Sequence, residues 1–359
     1  MFFYTFYHKN VILSIQNKML GGIFLKFSVG YQLFGDSDFL DSIIKYKKDI
    51  YEVYFSFGDF PNGRNSQLNQ KGMLPWEAQS KQTEDLKRLS LENIALNLLF
   101  NATCYGKDSL SRAFFEKVGD AVDFIKTAFG LKSVTTTSPV IAAFIKNNFE
   151  GIDVRASVNM CIGSIEGMEY VKDSFDSFYL KRELNRDFSE IKKLKAWCDS
   201  NGKTLYALAN SGCLNNCSAH TFHDNLVSHE GEISAMDNGF VFEGVCRKYL
   251  KNRDNLSKIL EYTSFIRPED VYLYEGLFPA LKLATRVNEK PAKILEAYIE
   301  KKRFTGSALA LLEPNHTGAI YPYFLENSDI KATLREDKLI YENIDDALIK
   351  LEEDIYVKA

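Results

Sequence analysis

The stretch SFYLKRELNRDFSEIKKLKAWCDSNGKTLYALAN, residues 177–210, reads as strand, helix, strand. Its two ends, residues 177–181 and 204–209, are short and mostly apolar, as expected of strands buried on both faces. Between them Ile191, Leu194 and Cys198 recur at spacings of three and four, the apolar face of a helix over residues 188–200. A helix joining two such strands is the usual crossover between parallel neighbours.

The alternation continues on both sides of this unit. Strands are expected at residues 26–31, 50–57, 94–100, 132–136, 153–158, 177–181, 204–209 and 280–284, with further helices over 38–48 and 110–129. This pattern predicts an α/β fold, a (β/α)8 TIM-type barrel, with an open doubly wound sheet as the alternative. No G-x-G-x-x-G follows the first strand, which counts against a dinucleotide-binding sheet. Two insertions break the rhythm, at residues 58–82 and 211–279. The second lies between strands seven and eight, and in a barrel the loops after strands form the catalytic face. The chain then divides into an N-terminal extension (1–22), the barrel (23–325) and a small C-terminal appendage (326–359) that ends in an amphipathic segment at 344–355.

Of the 359 residues 45% are hydrophobic and 26% charged, the balance of a soluble globular protein with a full core. The net charge of −4 gives no general nucleic-acid-binding surface, although a local basic patch for RNA stays open. The aromatic N-terminal run is broken by Lys9, Asn10 and Gln16 and has no basic leader, so neither a signal peptide nor a membrane span is expected. Met19 is an alternative start to Met1. A cytoplasmic location without a membrane partner is the expectation.

Six cysteines in so long a chain do not make a disulfide framework. Cys213 and Cys217, with three residues between them, lie in a turn-rich stretch that also holds His220, His223 and His229, and Cys246 follows. Thiolates are soft ligands, and grouped with histidines in a turn they point to a metal centre. Cys213, Cys217 and Cys246 suit a [4Fe–4S] cluster with one position not held by cysteine. With His220 as fourth ligand they suit zinc equally well on ligand count. His220 stands where a radical-SAM motif would place its third cysteine, which excludes that motif. Cys198 is read as core. Cys104 and Cys161 follow strands three and five and reach the same face.

Polar residues recur at the expected C-terminal strand ends: Asn97, Asn101, Asn159, Arg182, Glu183, Asn210 and Arg286. Glu183, Asn210 and Arg286 are the catalytic candidates. They are expected to share one cavity with the cysteine loop, with Arg286 either pairing with Glu183 or gripping an anionic substrate group. No G-x-S-x-G elbow and no H-E-x-x-H occurs; His229-Glu230 lacks the second histidine.

The runs Phe265-Ile-Arg-Pro-Glu-Asp270, Tyr272-Leu-Tyr-Glu275 and Leu281-Lys-Leu-Ala-Thr-Arg286 resemble the close of the collagenase-like peptidase family U32. Tyr179-Leu-Lys-Arg-Glu-Leu184 followed by Phe188-Ser-Glu-Ile191 resembles that family's Arg-Glu-Leu strand end and next helix, and residues 210–217 resemble its cysteine loop. The similarity spans roughly residues 24–315. It implies the barrel fold. It also implies one of two activities: oxygen-independent hydroxylation by an iron–sulfur enzyme acting on RNA or a small aromatic or quinone precursor, or peptidase action. The expectation ranks the iron–sulfur hydroxylase first, the peptidase second and a zinc-stapled, non-catalytic scaffold third. A protein partner or homologous subunit is compatible with all three. The compact cysteine loop, lacking an obvious fourth cysteine, departs from the four-cysteine pattern of the hydroxylase-type relatives.

Overall fold

The computed structural model describes residues 25–33, 37–64, 73–237 and 239–351. The expected extension at 1–22 and residues 352–355 of the amphipathic segment lie outside the described residues. Eight parallel strands close into a barrel: β1 (Lys26–Gly30), β2 (Ile50–Phe55), β3 (Ala95–Phe100), β4 (Ser133–Thr136), β5 (Asp153–Ala156), β6 (Ser177–Tyr179), β7 (Thr204–Leu208) and β8 (Ala280–Leu283). Closure is set by β1 against β8, with Phe27 beside Leu281 and Val29 beside Leu283. The open-sheet alternative is thereby excluded.

Nine helices carry the argument: α1 (Ser37–Lys45), α2 (Pro75–Leu91), α3 (Arg112–Phe129), α4 (Pro139–Asn148), α5 (Ile165–Glu169), α6 (Phe188–Ser200), α7 (His220–Ser228), α8 (Val245–Leu250) and α9 (Pro291–Glu300). Helix α6 forms where the 3.6-residue pattern requires. Asp187 caps it by accepting from the Glu190 amide at 3.1 Å, and Ile191, Leu194 and Cys198 are fully buried. The Cys198 thiol is pushed up to about 12, chiefly by burial, as befits a core side chain. Pro75 opens α2, so the helix absorbs the end of the insertion expected at 58–82.

Val53, Leu98, Val134, Val154, Phe178, Ala207 and Leu283 point outward into the apolar layer beneath the helices. The barrel interior, in contrast, is polar low down. Glu52 accepts from Ser28 at 3.1 Å, Asn97 at 3.0 Å, Ser133 at 3.1 Å and Arg155 at 2.6 Å. Lys282 lies 4.0 Å from the centre of the Tyr54 ring and 5.1 Å from that of Tyr179. Asn97, expected at a strand end, therefore belongs to the barrel floor.

The C-terminal residues are fastened to the barrel. The hairpin Lys331–Arg335/Lys338–Glu342 docks through Phe188 N to Asp337 O at 2.7 Å and Leu339 N to Arg186 O at 2.8 Å. Arg267, in the Arg-Pro-Glu-Asp run, pairs with Asp270 at 2.7 Å, donates to Ile330 O at 2.9 Å and lies 4.9 Å from the centre of the Tyr341 ring. The segment expected to be amphipathic is divided between a short helix, Ile344–Ala347, and a strand, Leu348–Lys350, paired with Tyr323–Leu325. No described helix is long and apolar enough to cross a membrane.

Candidate active site at the barrel mouth

The loops after β2, β3, β5, β6 and β7 converge at the C-terminal end of the barrel. After β5 the Ser157 side chain accepts from Asn159 N, a single 3-10 turn follows, and the chain leaves it at Cys161. Cys161 has φ +54° and ψ +34°, a left-handed conformation that a residue with a Cβ adopts at a cost. The turn places Cys161 at the mouth, where the residue is exposed.

After β7 the cysteine loop runs into α7, whose first residue is His220. Its Nδ1 faces the Cys161 sulfur at 4.0 Å. Its Nε2 lies 2.7 Å from Arg182 Nη1 and 3.2 Å from Asp224 Oδ2, the latter one helical turn ahead. Burial pulls the imidazole below its ordinary range; Asp224 opposes this and Arg182 adds to it. Burial likewise raises the Cys161 thiol, against the pull of Arg182. Asn159 orients the guanidinium, accepting from Arg182 Nη2 at 2.6 Å and donating to Asn101 O at 3.2 Å.

A cavity of about 370 Å3 is lined by Cys161, Arg182, Glu183, Cys213, Cys217 and His220, among others. A wider cleft of about 610 Å3 adjoins it through Cys161, His220 and Thr221 and extends to Cys104 and Asp224. Glu183, one of the expected catalytic residues, thus shares a cavity with the cysteine loop, and it accepts from the Asn216 amide at 3.3 Å.

The other two catalytic candidates lie apart from that cavity. Asn210 is fully buried and spends its amide on Ala284 N and O and on Leu311 O, at 2.6, 2.8 and 2.9 Å. A carboxamide satisfied in this way ties β7 to β8 and has no group left for substrate. Arg286 does not meet Glu183. It donates to Asn62 at 3.3 Å and lies over Tyr54, close to Arg64 and Glu313. Gly30 makes room for it: a Cβ there would sit 2.7 Å from both Arg286 Cγ and Tyr54 Oη.

Cys213, Cys217 and Cys246 are the expected metal ligands. Cys246, on α8, has its thiol raised by burial and then by the charges of Cys213 and Cys217, so the three are neighbours. Among the described residues, however, no three His, Cys, Asp or Glu side chains are arranged to hold a metal ion. The ring nitrogens of His220, the expected fourth ligand, face Cys161 and Arg182.

Three mouth residues had no clear sequence signal. Arg64 pairs with Glu313 at 3.0 Å from two distant loops. Asp224 was legible only as the residue four after His220.

No family model matches the chain. The uncharacterized protease MJ1657 of Methanocaldococcus jannaschii is 25% identical over 277 residues, 75% of this chain and 77% of that protein. The solved structure of the U32 peptidase Mk0906 superposes with a TM-score of 0.50 at 12% identity, over 72% of this chain and 92% of the other, a likeness of fold.

Proposed function

We propose that the chain, similar in sequence to the uncharacterized protease MJ1657 and in fold to the U32 peptidase Mk0906, is a U32-type, peptidase-like hydrolase working at the barrel mouth. The observation that carries this reading is the cavity that brings Cys161, Arg182, Glu183 and His220 together. It holds a nucleophile, a titratable imidazole, a carboxylate and a cation, the groups amide hydrolysis needs. Arg182 and Lys181 line this cavity, which favours a substrate with an acidic group.

The rival reading places a [4Fe–4S] cluster, or zinc, on Cys213, Cys217 and Cys246 in a hydroxylase acting on RNA or a small molecule. Its support is that Cys246 has Cys213 and Cys217 as neighbours whose charges raise its thiol. One experiment separates the two. The chain is purified without oxygen, its iron, zinc and visible absorbance are measured, and cleavage of gelatin and acidic peptides is assayed. The native chain and Cys213→Ala/Cys217→Ala are compared. Cleavage that survives the double substitution is the expected result. A brown, iron-rich protein that cleaves nothing and bleaches on double substitution overturns the hydrolase reading.

A further inference from the structure

We propose that Lys282, inside the barrel, is a modification site: its amine takes up carbon dioxide as a carbamate, and Arg286 holds the carbamate. The proposal is independent of the hydrolase reading, since neither residue lines the cavity at Cys161.

Two cation-forming side chains of the barrel interior lack an acidic partner. Lys282 is 6% exposed and Arg286 8%, and a buried charge is normally paired. The nearby carboxylates are already committed. Glu52 faces Arg155 at 2.6 Å and accepts from Ser28, Asn97 and Ser133. Glu313 takes Arg64 at 3.0 Å and the Val287 amide at 3.3 Å. Among the described residues Lys282 has no hydrogen bond and no ion pair; it rests against the rings of Tyr54 and Tyr179. The Arg286 guanidinium has five N–H groups and makes a single long bond, to Asn62 at 3.3 Å. The Tyr179 hydroxyl, on a ring whose centre is 5.1 Å from Lys282 Nζ, is buried without a hydrogen-bond partner. Buried polar groups are normally satisfied, so three unmet groups around one site call for an explanation. A neutral amine alone would leave Arg286 and Tyr179 unmet. An anionic group on Nζ answers all three.

The surroundings favour that anion. Arg286 is the strongest charge acting on the Lys282 ammonium, followed by Glu52, Arg155 and Arg64. Glu52 attracts the ammonium and the three cations repel it. A carboxylate in its place reverses each sign, so three repulsions become attractions. Burial, then Arg286, brings the amine down to about 7. About half of it is therefore neutral at pH 7, against roughly one part in 3,000 for an ordinary lysine. That free lone pair is what carbon dioxide needs. Nζ forms the C–N bond, one C=O π pair moves to oxygen, and a proton leaves Nζ for water. One amine and one carbon dioxide become a carbamate and a proton, and nothing is oxidised or reduced. Arg286 has N–H groups left to donate to the carbamate oxygens, and the Tyr179 hydroxyl gains an acceptor. Each side chain keeps a little accessible surface, so neither is sealed in by packing.

The test is 13C NMR of the intact chain, freed of carbon dioxide and then equilibrated with 13C-bicarbonate at pH 8. A carbamate resonance approaching one per chain is expected, and it should be missing from Lys282→Met, which removes the amine and a buried charge together. Lowering the pH to 6 protonates the amine and should weaken the resonance about tenfold. Arg286→Lys, which keeps a charge but loses the two-pronged grip, should weaken it about threefold while the chain stays folded. Bicarbonate should also raise the melting temperature of the native chain at pH 8 by a few degrees and leave that of Lys282→Met unchanged. Formate, a carboxylate that cannot bond to the amine, is the control. A folded native chain without the resonance, or a resonance equally strong in Lys282→Met, overturns the proposal. A rise in melting temperature that formate reproduces, with no carbamate resonance, also overturns it and leaves a non-covalent anion site in its place.

Discussion

Glu52 and Arg155 meet across the barrel floor, Oε1 2.6 Å from Nη1, with side chains 1% and 4% exposed. The carboxylate has three further donors, and the guanidinium lies 4.4 Å from the centre of the Tyr206 ring. Glu52→Ala leaves the buried Arg155 with Asp153 alone as its counter-charge, at 2.6 Å, and is expected to cost about 3 kcal/mol in urea denaturation. Replacing both with apolar residues, Glu52→Leu/Arg155→Met, should recover a large part of that loss.

Asn210 gives a second prediction. Asn210→Ala removes the three hydrogen bonds to Ala284 and Leu311 and strands buried backbone groups, at a cost of about 2–3 kcal/mol. The folded fraction should cleave acidic peptides at the native rate. A fall in cleavage at unchanged stability would instead give Asn210 a part in the chemistry.

Arg286 and Gly30 are coupled through space. Gly30→Ala drives a methyl group to 2.7 Å from Arg286 Cγ and Tyr54 Oη, an overpacking worth roughly 1–3 kcal/mol. Arg286→Lys should lower the melting temperature by a few degrees without changing the rate of acidic-peptide cleavage, because the guanidinium bonds Asn62 and does not line the cavity at Cys161. Calorimetry with the peptide assay checks both.

Lys282 makes stability depend on pH. Burial, then Arg286, pulls its ammonium from 10.5 down to about 7, against the pull of Glu52. Between those values the unfolded chain binds a proton that the folded chain lacks, so this group makes stability rise with pH over about 7 to 10.5. Below pH 7 the folded state carries the full penalty of a buried charge. Lys282→Met should therefore be more stable than the native chain by several kcal/mol below pH 7, and the difference should close toward pH 10.5. Denaturation midpoints at pH 6, 8 and 10 measure it.

The barrel was legible because a buried parallel strand needs an apolar run and a crossover helix needs a 3.6-residue stripe; both are local patterns. All eight strands fall within the expected ranges, and α6 matches residues 188–200. The mouth was legible only in part. Cys213, Cys217 and Glu183 were found because a short loop and a strand end keep neighbours in sequence close in space. Cys161 and His220 lie 59 residues apart, and nothing local says that an imidazole opening α7 will turn toward a thiol leaving β5. The same limit hid Arg64 and Glu313. Asn210 and Arg286 looked catalytic because polar residues at strand ends look alike in sequence whether they face a cavity or tie strands together.

Gly212 lies against the C-terminal chain: a Cβ there would come 2.0 Å from Pro314 O, and its own carbonyl is 2.6 Å from His316 Nε2. The cysteine loop therefore has a seat that is made of residues 312–316. During synthesis the chain emerges N-terminus first, so β7 and its loop leave the ribosome about a hundred residues before that seat exists. The eight strands can close while the loop still has nothing to rest on. The mouth is finished last, and a nascent chain halted before His316 would hold a barrel with an unfinished site.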